Sequence, residues 1–88
     1  LAIYDLPEIH ECCVIGVPDE KWGEVGKAVL SFKPGMSLSK EEIKNKLAHK
    51  LAKYKVPKYY TIVDEVPKSN VGKIVVSQVE KLYGQPQD

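Results

Sequence analysis

Ser39-Lys40-Glu41-Glu42-Ile43-Lys44-Asn45-Lys46-Leu47-Ala48-His49-Lys50-Leu51 is the stretch whose reading decides the fold class. Ser39 with Glu42 three residues on is a capping box, in which each side chain satisfies a backbone N–H of the other residue. Ile43, Leu47 and Leu51 then recur at four-residue spacing, which is one apolar stripe of an α-helix. The pattern predicts a helix from Lys40 to Lys53. Lys44, Lys46, Lys50 and Lys53 read as its solvated face, and Glu41 and Glu42 as first-turn acids favoured by the helix dipole.

Upstream, Lys27 to Lys33 reads Lys-Ala-Val-Leu-Ser-Phe-Lys and stops at the turn dipeptide Pro34-Gly35, which predicts a strand. Glu11 to Val17, rich in Cys, Val and Ile and ending at Pro18-Asp19, predicts a first strand able to pair antiparallel with it. A polar, glycine-containing loop bearing Trp22 joins the two. Leu1 to Leu6 places Ile3 and Leu6 at helical spacing ahead of Pro7, a short helical remnant.

Downstream, Pro57 ends the helix through its constraint on Val56. Tyr59 to Val63, β-branched and aromatic, predicts a third strand. Ile74 to Leu82, with Val75, Val79 and Leu82 at spacings of four and three, predicts a closing helix, and Gly84 to Asp88 a polar tail with nothing to hold it down. The expected fold is α+β: a small, largely antiparallel sheet of about three strands with helices packed on one side.

At 88 residues the chain makes one domain, and a domain of this size buries only roughly 60 to 65% of its unfolded surface. A deep private active site is not expected. Thirteen basic and twelve acidic side chains leave a formal charge of +1, which provides no field to draw in nucleic acid. No apolar run is long enough to cross a bilayer, and Leu1-Ala2-Ile3-Tyr4-Asp5 lacks the basic region of a signal peptide, so a cytoplasmic protein is expected. The opening residues read as the end of an element already under way, so the chain is expected to be a fragment.

Pro67-Lys68-Ser69-Asn70-Val71-Gly72-Lys73 carries the chemistry. Gly72 admits backbone conformations closed to other residues, and Lys73 is a hydrated charge on a flexible stem, suited to meeting phosphate or carboxylate. The same residues also fit a solvated turn lysine. The segment is not a Walker loop, because Ile74 stands where Ser or Thr is needed. Trp22, with Tyr54-Lys55-Val56-Pro57-Lys58, offers aromatic faces and ammonium groups fit to stack on adenine and pair with phosphate. The bland alternative is a loop anchor and a helix cover.

His10 and His49 lack ligand-spaced companions, so no metal site is expected. Cys12 and Cys13 are adjacent, point to opposite faces of a strand, and read as reduced structural thiols.

Four ordered blocks of this sequence, Glu11 to Asp19 with Trp22-Gly23-Glu24, Leu51 to Pro57, Val63 to Pro67, and Gly72-Lys73-Ile74, carry a resemblance over nearly the full length. The chain resembles the C-terminal domain of the acyl-CoA synthetase, luciferase and peptide-synthetase adenylation superfamily. That resemblance implies a mobile domain, residues 1–88, of an AMP-forming acid:CoA ligase. Its partner would be an N-terminal large domain of the same polypeptide, and its substrates a carboxylic acid, ATP with Mg2+, and CoA.

The family's Pro-x-x-x-x-Gly-Lys motif falls on Pro67, Gly72 and Lys73, so Lys73 is implied as the lysine supporting acyl-adenylate formation. Trp22, Tyr54 and Lys58 are implied as CoA contacts. Val56 stands where some relatives have arginine, and Val75-Val76-Ser77-Gln78 stands where many continue with basic residues. The expected acid is a medium- or long-chain fatty acid or an aryl acid. The alternatives are a carrier-loading adenylation domain and a non-catalytic interaction module of the same fold. The 88 residues alone are expected to be inactive.

Overall fold

The computed structural model of the chain, which describes residues 2–88, closes the capping box on helix α1 (Lys40–Ala48). The Glu42 N–H donates to Ser39 Oγ at 3.1 Å, and the Ser39 N–H donates to Glu42 Oε1 at 3.0 Å. Ile43 and Leu47 bury completely from this helix, each worth roughly 1.5 to 3 kcal/mol relative to exposure. The helix ends at Ala48, five residues before the sequence expectation of Lys53. Leu51 keeps its place against the core from a tighter turn, in which the Lys50 and Leu51 N–H groups both donate to Leu47 O. Ala52 is then extended and residues Lys53–Lys55 form a 3-10 turn.

The sheet has the order β1 (Ile9–Asp19), β2 (Gly23–Phe32), β3 (Tyr59–Ile62). β1 and β2 form a long antiparallel ribbon from Ile9↔Phe32 to Asp19↔Gly23. β3 lies parallel to β2, because residues 33–58, with α1 among them, carry the chain back to start again in the same direction. Antiparallel pairing predominates, as expected. Both ribbon strands run past their expected ends at the turn: Pro18 is tolerated within β1 because β1 is an edge strand, and the glycine-rich start of β2 read as loop.

A bulge between Ile9 and Glu11 leaves His10 unpaired with β2. It lets Ile9 join the same core cluster as Cys12 despite their odd spacing. On the outer edge of β1, the Tyr4 hydroxyl accepts from the Cys12 N–H and donates to Cys12 O, both at 3.0 Å, closing edge groups that would otherwise be free. Tyr4 is held by a 3-10 helix at Ala2–Asp5, the expected helical remnant, of which Leu1 lies outside the described residues.

The helices do not share one side of the sheet. α1 packs with Ile9, Cys12, Ala28, Leu30 and Tyr60 on one face. α2 (Val76–Tyr83) puts Val79 against Cys13, Ile15, Val17 and Val29 on the other. The expectation of one-sided packing is corrected by the strands themselves. Neighbouring residues of β2, Ala28, Val29 and Leu30, are all buried, and a strand apolar on both faces needs cover on both. Cys12 and Cys13 point to opposite faces as expected, both as free thiols.

The C-terminal tail is also held, against expectation. Gln85 O accepts from the ammonium of Lys27 at 3.0 Å, and Asp88 Oδ1 accepts from the Tyr60 N–H at 2.8 Å. Lys27 is 2% exposed. Its burial lowers the ammonium's pKa, while the nearby Asp88 carboxylate opposes that shift.

Candidate functional site

Lys73 stands on a tight hairpin between β3 and α2. Lys68 and Ile74 pair as an antiparallel bridge, the Ser69 N–H donates to Lys73 O at 2.8 Å, and the Gly72 N–H donates back to Ser69 O at 3.0 Å. Gly72 has φ +83°, the left-handed region open to glycine at no steric cost, so the sequence reading of Gly72 as a conformational requirement holds. Pro67 contributes its carbonyl, which accepts the Val75 N–H at 3.1 Å and ties the hairpin to the start of α2. Residues 69–73 are exposed, so the Lys73 side chain is presented outward. α2 begins at Val76, later than the expected Ile74, because Ile74 belongs to the hairpin and packs into the core beside Val66.

Lys68 grips the base of that hairpin. Its ammonium lies 2.5 Å from Glu11 Oε2 and 3.0 Å from Glu65 Oε1, and donates to Val66 O at 3.1 Å. Glu11 Oε1 accepts from Ser31 Oγ at 3.2 Å and from the Val66 N–H at 3.4 Å. Partial burial pushes the Glu11 carboxyl up. The hydrogen bonds from Lys68 and Val66, the Lys68 charge and the Ser31 hydroxyl outweigh it and hold the group below the ordinary carboxylate value. This cluster is not legible in the sequence, because Glu11 and Lys68 lie 57 positions apart and only the fold makes them neighbours.

At the other end of the ribbon, the turn between β1 and β2 exposes Trp22, with the Lys21 ammonium 4.9 Å from its ring centroid. Asp19 organises this end: Oδ2 accepts the Trp22 N–H at 3.3 Å, and Oδ1 lies 3.2 Å from Lys58 Nζ. The hydrogen bond to Asp19 is the main cause of a raised Lys58 pKa. Pro57 packs over Gly26, and the Lys58 N–H donates to Gly26 O at 2.9 Å, which stitches the segment after α1 to the same end of β2. Among the described residues Tyr54 is the most exposed of the large apolar side chains, at 83%. Lys58 and the Trp22 turn are thus brought together through Asp19, a residue read from sequence only as a turn former.

Glu11 and Asp19 stand at opposite ends of β1, roughly 26 Å apart at the ordinary strand rise. The lysine hairpin is fastened to the first and the aromatic turn to the second, so one rigid ribbon separates two chemically distinct surfaces. Among the described residues no group of three or more His, Cys, Asp or Glu side chains is placed to hold a metal ion.

The chain is thus a small α+β domain that presents a lysine outward on a hairpin and a second, aromatic and basic surface at the far end of its ribbon. The chain belongs to the AMP-binding enzyme C-terminal domain family, whose model matches residues 2–73. It is 42% identical over 82 residues to a feruloyl-CoA synthase of an Amycolatopsis species, covering 93% of this chain and 17% of that protein. It is 44% identical over 78 residues to a 2-succinylbenzoate–CoA ligase of Lactococcus lactis, covering 89% and 16%. Its fold matches a Mycobacterium tuberculosis fatty acyl CoA synthetase with a TM-score of 0.86 at 32% identity, covering 97% of this chain and 17% of that one. The chain therefore spans less than a fifth of the length of these relatives.

Proposed function

We propose that residues 1–88 act as the mobile C-terminal domain of an AMP-forming acid:CoA ligase, with Lys73 serving the adenylation step and Trp22, Tyr54 and Lys58 receiving CoA. In the first half-reaction a carboxylate oxygen attacks the α-phosphorus of ATP and pyrophosphate leaves. Negative charge gathers between carboxylate and phosphate, and a positioned ammonium there lowers the barrier. In the second, the CoA thiol attacks the acyl carbon and AMP leaves. The observation that carries this reading is the placement of Lys73 and the Trp22–Lys58 surface at opposite ends of one ribbon. A single body then serves the two half-reactions by turning one end and then the other toward a large N-terminal domain of the same polypeptide, a hinge motion of a well-established kind.

The names of the relatives support a fatty or aryl acid as substrate and free CoA as acceptor. The Mg2+ that accompanies ATP belongs, in this reading, with the nucleotide and the large domain. The reading includes the cytoplasm, where ATP and CoA are available. No helix among the described residues is long and apolar enough to cross a membrane.

The test is Lys73→Ala in the full-length polypeptide that carries these residues. Adenylation is expected to fall by on the order of 100-fold, the usual cost of removing one group that stabilises developing charge. Thioester formation from supplied acyl-adenylate is expected to stay within about twofold. Equal loss in both half-reactions overturns the assignment. Thioester formation on a carrier protein but not on free CoA would replace the acid:CoA ligase with a carrier-loading enzyme.

A further inference from the structure

We propose that Lys68 and Glu11 are positioning residues for Lys73, their ion pair seating the hairpin that delivers its ammonium; this rests on the reading of Lys73 as the adenylation lysine. A lysine on an unbraced turn reaches many places and dwells in none, and misplacement by about 1 Å can cost on the order of 100-fold in rate. The hairpin has little bracing of its own, since residues 69–73 are exposed and a lone two-stranded hairpin is marginally stable in water.

What braces it sits at its base. Val66 is fully buried and Ile74 packs on the same cluster, fixing the two legs by their apolar side chains. Lys68, paired directly across from Ile74, supplies the polar half of the grip. Its three N–H donors meet three acceptors, Glu11 Oε2, Glu65 Oε1 and Val66 O, so its position is fully determined. Glu65 is 75% exposed and is the minor partner, whereas the Glu11 side chain is 13% exposed. Glu11 also takes the Ser31 hydroxyl from β2 and the Val66 N–H from the hairpin leg. One carboxylate thus joins β1, β2 and the hairpin, and its partner Lys68 stands five residues before Lys73.

The experiment uses the full-length polypeptide with Lys68→Met, Lys68→Arg and Glu11→Gln, with Lys73→Ala as reference. Lys68→Met keeps the aliphatic stem and removes the charge. It is expected to slow adenylation roughly 10- to 100-fold at an unchanged KM for ATP and to leave thioester formation from supplied acyl-adenylate within about twofold. Lys68→Arg is expected to recover most of the adenylation rate, and Glu11→Gln to show a smaller loss of the same kind. Amide exchange at Ser69 and Gly72, whose N–H groups close the hairpin, is expected to quicken about tenfold or more in Lys68→Met, with the β1–β2 ladder unchanged.

Unchanged adenylation in Lys68→Met, equal loss in both half-reactions, or loss of protection throughout the domain in both Lys68→Met and Glu11→Gln overturns the proposal. The two readings fail separately. If Lys73→Ala adenylates normally, the role of Lys73 falls whatever the exchange shows. If Lys73→Ala is impaired while Lys68→Met is not, the seating falls and Lys73 stands.

Discussion

Lys58 Nζ lies 3.2 Å from Asp19 Oδ1, and the second oxygen of that carboxylate accepts the Trp22 N–H. The Asp19 side chain is only 7% exposed while Lys58 is 48% exposed, so the carboxylate is the fixed partner and the ammonium the adjustable one. Asp19 therefore sets both the turn that carries Trp22 and the resting place of Lys58. In the full-length polypeptide, Asp19→Ala is expected to raise the KM for CoA roughly fivefold to tenfold, the scale of one ordinary hydrogen bond of about 1 kcal/mol. The adenylation rate is expected to stay within about twofold. A larger effect on pyrophosphate exchange than on CoA affinity would contradict this.

Gly72 has φ +83°, and nothing lies within 4 Å of where a Cβ would stand. Gly72→Ala meets backbone strain without a clash, at about 1 to 2 kcal/mol. The strain is local to an exposed turn, so adenylation should fall with little change in the overall unfolding midpoint. Urea denaturation beside half-reaction rates measures both.

Ser39 holds the first turn of α1 by accepting the Glu42 N–H. Ser39→Ala is expected to cost about 1 kcal/mol, which for a domain of this size lowers the melting temperature by roughly 4 to 8 °C. Thermal unfolding followed by circular dichroism checks it. Ser39→Asp, which retains a capping oxygen, should remain close to the parent.

Two carboxyls titrate below their ordinary value near 4.5 in the folded chain. Burial pushes Glu11 up but is outweighed by its contacts with Lys68, Val66 and Ser31, and Glu42 is lowered by its backbone and side-chain hydrogen bonds with Ser39. Groups with depressed folded values contribute stability that is fully present above the unfolded value and lost as pH falls through the folded one. Melting temperature should therefore hold above about pH 4.5 and decline below it. In Glu11→Gln the decline should be shallower, with a lower plateau. An identical acid limb in both proteins would remove Glu11 as its source.

Burial pushes the Cys12 thiol up to about 12, with the neighbouring Cys13 adding to it. Burial also raises Cys13, and Glu80 adds to the shift. The thiolate is the reactive form, so both cysteines should resist thiol reagents at neutral pH in the native state. Labelling should rise only along the denaturant unfolding curve. Rapid labelling of Cys12 without denaturant would show that the α1 face opens locally.

Local chemistry sufficed for what it controls. The Ser39–Glu42 box needs only three residues of spacing, the left-handed turn at Gly72 only the missing side chain, and alternation along β1 places Cys12 and Cys13 on opposite faces. The resemblance carried by Trp22, Pro57 and Gly72-Lys73 likewise needs only residues in order. Pairing across distance was out of reach. The end of α1 at Ala48, the parallel setting of β3, the helices on opposite faces, and the meetings of Glu11 with Lys68 and Asp19 with Lys58 each depend on which elements come to lie side by side. The physical reason is that capping and turn preference act within a few residues of chain, whereas burial and ion pairing act through space. The sequence by itself determined the glycine turn that carries Lys73, and only the tertiary structure decided what holds that turn in place.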